Sequence, residues 1–146
     1  MSRDGDMRGE LLIAELLRSG HKVRFRVYGT SMLGSIWSGD VVEVEPLCLR
    51  PLAVGDIALY QREGRLIAHR VVGLQTDHPR GPWWILRGDN LGVCDPPVAP
   101  NQILGRVRRV QSRYAFLVRS TLRKLKQRFS VPRPVRPLSD LGHVNR

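Results

Sequence analysis

A chain of 146 residues with 42% apolar residues is large enough for one hydrophobic core and has ordinary globular composition. No apolar run approaches the roughly 18 residues of a membrane-spanning helix, so none is expected. The formal net charge of +11 is unevenly placed: residues 1–105 hold 12 Lys/Arg and 12 Asp/Glu, whereas residues 106–146 hold 12 Lys/Arg against Asp140 alone. A basic tail on a neutral domain points to an anionic partner.

In chain order, Met7 to Ser19 is predicted as an amphipathic helix built on Leu11, Leu12, Ala14, Leu16 and Leu17, with Gly20 as its C-cap. Its apolar stretch is short, contains Glu15 and follows Asp4, Asp6 and Glu10, so it does not read as a secretory signal. Lys22 to Tyr28 alternates, with Val23, Phe25 and Val27 on one face, as a half-buried strand. Asp40 to Pro46 alternates in the same way. Ile57 to Tyr60 and Arg65 to Leu74 are predicted strands around an Arg62-Glu63-Gly64 hairpin. Thr76 to Pro82 is a polar turn, and Trp83 to Arg87 a further strand on which Trp83 and Trp84 face opposite ways, so at most one is core. Leu91 to Pro100 reads as a loop over the sheet, and Gln102 to Val110 as the closing strand. Short strands with turn signals and few helices predict a mostly β, coiled or barrel-like fold.

Ser112 to Phe129 changes character. Val118, Leu122, Leu125 and Phe129 recur at helical spacing among Arg119, Arg123, Lys124, Lys126 and Arg128, which predicts a basic amphipathic helix. Such a helix can seek an anionic membrane surface or pack on its own domain with a solvated basic face. Ser130 to Arg146, with three prolines, is expected to be flexible. The resulting division is residues 1–22 as N-terminal helix, 23–111 as the functional domain and 112–146 as basic helix and tail.

Three runs carry the chemistry: Gly29-Thr30-Ser31-Met32, Ala68-His69-Arg70-Val71-Val72, and Arg87-Gly88-Asp89-Asn90 leading to Cys94-Asp95. They supply a hydroxyl, an imidazole and two carboxylates. A hydroxyl becomes a nucleophile when a neighbour takes its proton. Imidazole does this at neutral pH, and a carboxylate on its far nitrogen fixes the tautomer. Glycine before the nucleophile allows a tight turn, and the Ser31 amide could donate to an oxyanion.

In context these runs resemble the signal peptidase I and LexA-like superfamily of serine endopeptidases, over about Arg24 to Val110. Gly29-Thr30-Ser31-Met32 resembles the nucleophile box and Ser38-Gly39-Asp40-Val41-Val42 the turn and strand after it. Val54-Gly55-Asp56-Ile57-Ala58-Leu59-Tyr60 resembles a further family segment. Ala68-His69-Arg70-Val71-Val72 resembles the base box, Arg87-Gly88-Asp89-Asn90 with Asp95 the acidic box, and Ile103-Leu104-Gly105-Arg106-Val107 the last strand. Histidine in place of lysine resembles the archaeal, endoplasmic-reticulum and Bacillus SipW-like branch.

The resemblance implies Ser31 as nucleophile, His69 as base and Asp95 as the orienting carboxylate, with Asp89 holding the surrounding loop; the two aspartates could exchange roles. It implies no cofactor, small residues at the cleaved position and a substrate bound as an extended strand. A group two residues before the serine adds an oxyanion donor in some relatives. Here that position is Gly29, which leaves Thr30 or another amide for the role. Met32 is expected to line an apolar substrate cleft, and Arg70 and Arg87 to partner the acidic loops. Familiar members are membrane-anchored. Lacking a predicted span, this chain is expected to be cytoplasmic or peripheral at a membrane, cutting a precursor or leader peptide.

Cys48 and Cys94 have no metal-ligand spacing with each other or with His21, His69, His78 and His143, so no zinc site is expected and both thiols are expected reduced and partly buried. Two alternatives compete. A LexA-like self-cleaving regulator is disfavoured by the histidine and by residues 1–22 being too short for a helix-turn-helix. A non-catalytic module would bind nucleic acid or anionic membrane through its basic tail.

Overall fold

The computed structural model describes residues 3–112 and 114. Two compact units divide the chain, 1–113 and 114–146. The predicted basic helix and tail lie outside the described residues, apart from Ser112 and Tyr114. The first unit is one antiparallel sheet with a single α-helix. Its elements are α1 (Arg3–Arg18), β1 (Val23–Arg26), β2 (Val41–Pro46), β3 (Ile57–Arg62), β4 (Arg65–Gln75), β5 (Trp83–Arg87), a short 3-10 turn (Pro100–Gln102) and β6 (Ile103–Gln111). No described helix is long and apolar enough to cross a membrane.

The six strands run in the order β1-β2-β6-β3-β4-β5. The last strand therefore lies at the centre, between β2 and β3, rather than closing an edge, and no ladder joins β1 to β5. Gly105 permits this close seat: a Cβ there would stand 2.6 Å from the Glu45 carbonyl oxygen. The next residue, Arg106, is buried in ion pairs with Glu45 and, at 3.9 Å, Asp56. The pairing offsets charges that would be costly alone in this setting, while Arg106 Nε and Nη1 are buried with no hydrogen-bond partner among the described residues.

Alternation on the central strands produces a core on each face. Leu59 and Leu104 join the cluster beneath α1, with Val42, Val44, Met32 and Ile36. Their neighbours Ala58, Tyr60 and Ile103 point the other way, to Val71, Leu86 and Val98. The β3–β4 hairpin turns on two residues, Glu63 and Gly64, with φ of 51° and 78°. Both positive values are those of a type I′ turn, which matches strand twist.

The helix buries a different stripe from the one its leucines suggest. Ala14 and Leu17 are buried and Ile13 packs beside them, whereas Met7, Leu11, Leu12 and Leu16 are exposed. Leu17 alone contributes roughly 1.5–3 kcal/mol by burial. Its C-terminus closes as predicted around Gly20: His21 N–H donates to Leu16 O at 2.9 Å and Gly20 N–H to Leu17 O at 3.0 Å, a Schellman pair.

Candidate active site

Val27 continues the β1 ladder beyond Arg26: its N–H donates to Asp40 O at 2.9 Å, and its carbonyl accepts from Gly39 N–H at 2.7 Å. The chain then turns at Gly29, whose φ of +123° few side-chain-bearing residues adopt. Thr30 to Ile36 coils into a tight loop, with Leu33 N–H on Thr30 O and Ile36 N–H on Met32 O. Ser31 opens that loop. Met32, almost fully buried, anchors it in the core.

His69 sits in β4, paired with Ala58 of β3, and its side chain is 7% exposed. Its Nδ1 is 2.6 Å from Asp95 Oδ2 and its Nε2 is 3.0 Å from Ser31 Oγ. A carboxylate can only accept, so Nδ1 carries the proton. In the neutral ring Nε2 is then an acceptor, aimed at the serine hydroxyl. Asp95 is held by its own backbone, whose N–H donates to Leu86 O at 2.8 Å. Its loop then pairs with β5 through Trp84 and Val98. Tyr60 meets the His69 ring edge-on, with centroids 6.3 Å apart. Burial, and next the charge of Asp95, push the Tyr60 phenol above its ordinary pKa.

Asp89 lies elsewhere. It takes two hydrogen bonds from Arg70, at 2.7 and 2.6 Å, and one from Ser35 Oγ at 2.5 Å. The Arg70 guanidinium holds its carboxyl below the ordinary value against the opposing effect of partial burial, with Ser35 helping. The same bond raises Arg70 further. Arg87 is exposed and acts on Asp89 only through its charge.

The acidic run also clamps the Ser31 loop. Asn90 N–H donates to Ser31 O at 2.8 Å, Asn90 Nδ2 to Thr30 O at 3.2 Å, and Asp89 N–H to Met32 Sδ at 3.3 Å. Gly88 is packed so closely that a Cβ would stand 2.6 Å from Ser31 O. Sequence reasoning missed Ser35, Gly88 and Asn90 in this clamp. The Gly-Asp-Asn run was visible, but not its contact with a loop more than fifty residues earlier.

Beside Ser31 lies a cleft of about 430 Å³, lined by Phe25 to Gly29 on one wall, Arg65 to Ala68 on the other, and Gly9, Glu10 and Ile13 of α1. Met32, Ile36 and Leu59 make its floor apolar, and Tyr28 and Trp37 stand exposed at its rim. Both walls are unpaired sheet edges. β1 is the first strand of the sheet, and β5 pairs β4 only from Arg70 onward. The Val27 bonds turn the backbone groups of Arg26 and Tyr28 toward the cleft. The hairpin register, with Arg62 opposite Arg65, does the same for Leu66 and Ala68. The Ser31 amide has no acceptor among the described residues. Gly29 N–H is directed instead to Ser38 Oγ at 3.3 Å.

Cys48 and Cys94 are both free and exposed, not partly buried as expected, because each falls in a loop outside the two cores. Trp84 packs on the second core while Trp83 stacks on His78 at 4.3 Å. Among the described residues no cluster of His, Cys, Asp and Glu could hold a metal ion. In comparisons with known proteins, the chain matches no family model and no curated sequence.

Proposed function

We propose that this protein is a serine endopeptidase of the signal peptidase I-like type, with the coiled β-sheet fold of that superfamily, cutting a precursor or leader peptide. The observation that carries the reading is the unbroken relay Ser31–His69–Asp95 at the end of a cleft bounded by two unpaired strand edges. An extended peptide fits such a cleft by adding a strand, its backbone held by the edges and its side chains by apolar pockets.

In the proposed reaction Ser31 Oγ attacks the peptide carbonyl carbon while His69 Nε2 takes the hydroxyl proton. Asp95 stabilises the imidazolium. The Ser31 amide receives the developing oxyanion, a type of contact that contributes roughly 2.7–4 kcal/mol where one such donor has been removed. The carbon–nitrogen bond breaks as His69 gives its proton to the leaving amine, which leaves an ester on Ser31. Water, losing a proton to His69, then releases the carboxylic acid and restores the serine. Met32 and the walls of the cleft select the side chains beside the cut.

The ester intermediate supplies the test. A short activated ester of an Ala-rich peptide, quenched in acid and mapped by mass spectrometry, is expected to leave its acyl group on Ser31 and none on a Ser31→Ala variant. Label on Cys48 or Cys94 instead, or none at all, contradicts the proposal.

A further inference from the structure

Glu10 stands out in the cleft because it lies on the buried stripe of α1, with Ile13, Ala14 and Leu17 at positions i, i+3, i+4 and i+7. A carboxylate on such a stripe needs partners, and it has two. Oε2 accepts a hydrogen bond from Leu66 N–H at 3.2 Å, and Oε1 lies 3.4 Å from Arg65 Nε. Its side chain is 15% exposed.

The Leu66 bond falls on the edge of β4 that the hairpin register leaves open to the cleft. That N–H is one of the groups an added strand would use. The Glu10 oxygen therefore occupies the place of a peptide carbonyl. Resting on the peptidase reading, we infer that Glu10 is the end stop of the substrate cleft. The bound strand runs along β4 from His69 only as far as Leu66, where α1 has already taken the next backbone donor. His69 to Leu66 is three residue steps, roughly 10 Å of strand. The cleft thus reads about three substrate residues on that side of the cut, and residues beyond them leave the sheet. Specificity is confined to a short, apolar stretch next to the scissile bond. Substrates that differ farther out are treated alike.

The test uses a ladder of N-acetylated Ala/Val peptides, lengthened one residue at a time at either end. Binding is read on the Ser31→Ala protein, with and without a second change at Glu10, and cleavage is read on the parent chain. Affinity for the Ser31→Ala protein is expected to rise with length on one side and then level off at about three residues. Adding Glu10→Ala frees Leu66 N–H and extends the rise by a further residue or two, each worth about 3- to 10-fold, the size of one hydrogen bond. Adding Glu10→Gln, which keeps an acceptor oxygen, leaves the plateau where it was.

An identical plateau with Glu10→Ala, in a protein that unfolds at the same temperature as its parent, overturns the end stop. So does a rise that never levels off in the Ser31→Ala protein with Glu10 intact. A Glu10-dependent plateau without any cleavage leaves the end stop standing and sinks the peptidase. Cleavage without such a plateau does the reverse, and absence of both binding and cleavage removes both.

Discussion

Arg70 follows His69 in β4 and grips Asp89 with two prongs, Nε to Oδ1 at 2.7 Å and NH2 to Oδ2 at 2.6 Å. The same guanidinium donates to Ser35 Oγ at 2.9 Å and to the Gly55 carbonyl at 2.8 Å. One side chain thus ties the strand that carries His69 to the Ser31 loop and to the Asp89 loop. Arg70→Lys keeps the charge but not the planar fork, so it cannot hold all three. Cleavage is expected to fall about 10- to 100-fold through misplacement of Ser31. The pair is partly exposed, so stability should change by under about 1 kcal/mol. Steady-state kinetics beside thermal unfolding separates the two effects, and unchanged kinetics would remove Arg70 from the clamp.

The same pair predicts a dependence on pH. Asp89 has a folded-state pKa below its unfolded value because Arg70 and Ser35 bond its charged form. Its contribution to stability is therefore fully present above the ordinary carboxylate value, near 4, and is lost as pH falls through the lower folded value. The stability difference between the parent chain and Asp89→Asn should be flat from neutral pH to about 5, then shrink below about 4. Denaturant titrations at a series of pH values measure it. A difference that grows on acidification has the wrong sign for this account.

Gly88 is a second point of control. A methyl group there would stand 2.6 Å from Ser31 O and 2.9 Å from Leu91 Cδ1. Something must move, and the backbone oxygen belongs to Ser31. Gly88→Ala is expected to cost about 1–3 kcal/mol as overpacking and to lower cleavage at least about tenfold. Full activity would mean that the loop gives way without disturbing Ser31.

Gly9 gives the opposite expectation. It lies within α1, and a Cβ there meets nothing within 4 Å. Gly9→Ala should raise stability by about 0.5–1 kcal/mol through helix propensity, as read by thermal unfolding. A lower melting temperature would contradict the free space assigned to this position.

Much of the fold was legible because burial of one sheet face writes itself as alternation. Val23, Phe25 and Val27 announced β1, and Glu63-Gly64 announced the hairpin. The C-terminal end of α1 followed from Gly20, but its start, at Arg3 rather than Met7, and its facing did not. Leu11, Leu12 and Leu16 are matched in number by Ile13, Ala14 and Leu17, and only packing decides between the two stripes. Glu10 was readable in principle, as a carboxylate in register with Ala14 and Leu17, yet its partner is a backbone amide 56 residues away. The central seat of β6 rests on ladders to β2 and β3, both far from it in sequence, which no local pattern records. Ser31, His69 and the two aspartates were visible as residue types in short runs. The resemblance favoured Asp95 over Asp89 with the roles exchangeable, and the residues themselves did not decide, because both sit in one polar loop. The ladder from Trp84 to Val98 and the bond from Asp95 N–H to Leu86 O turn one of them onto the imidazole.

The most direct test of the central claim is to incubate the purified chain and its Ser31→Ala variant with an unbiased peptide pool and to read the new termini by mass spectrometry. Cuts that need Ser31, aligned on small or apolar residues beside the scissile bond, are expected. Equal cuts in both samples, or none in either while both proteins are folded, would contradict that claim.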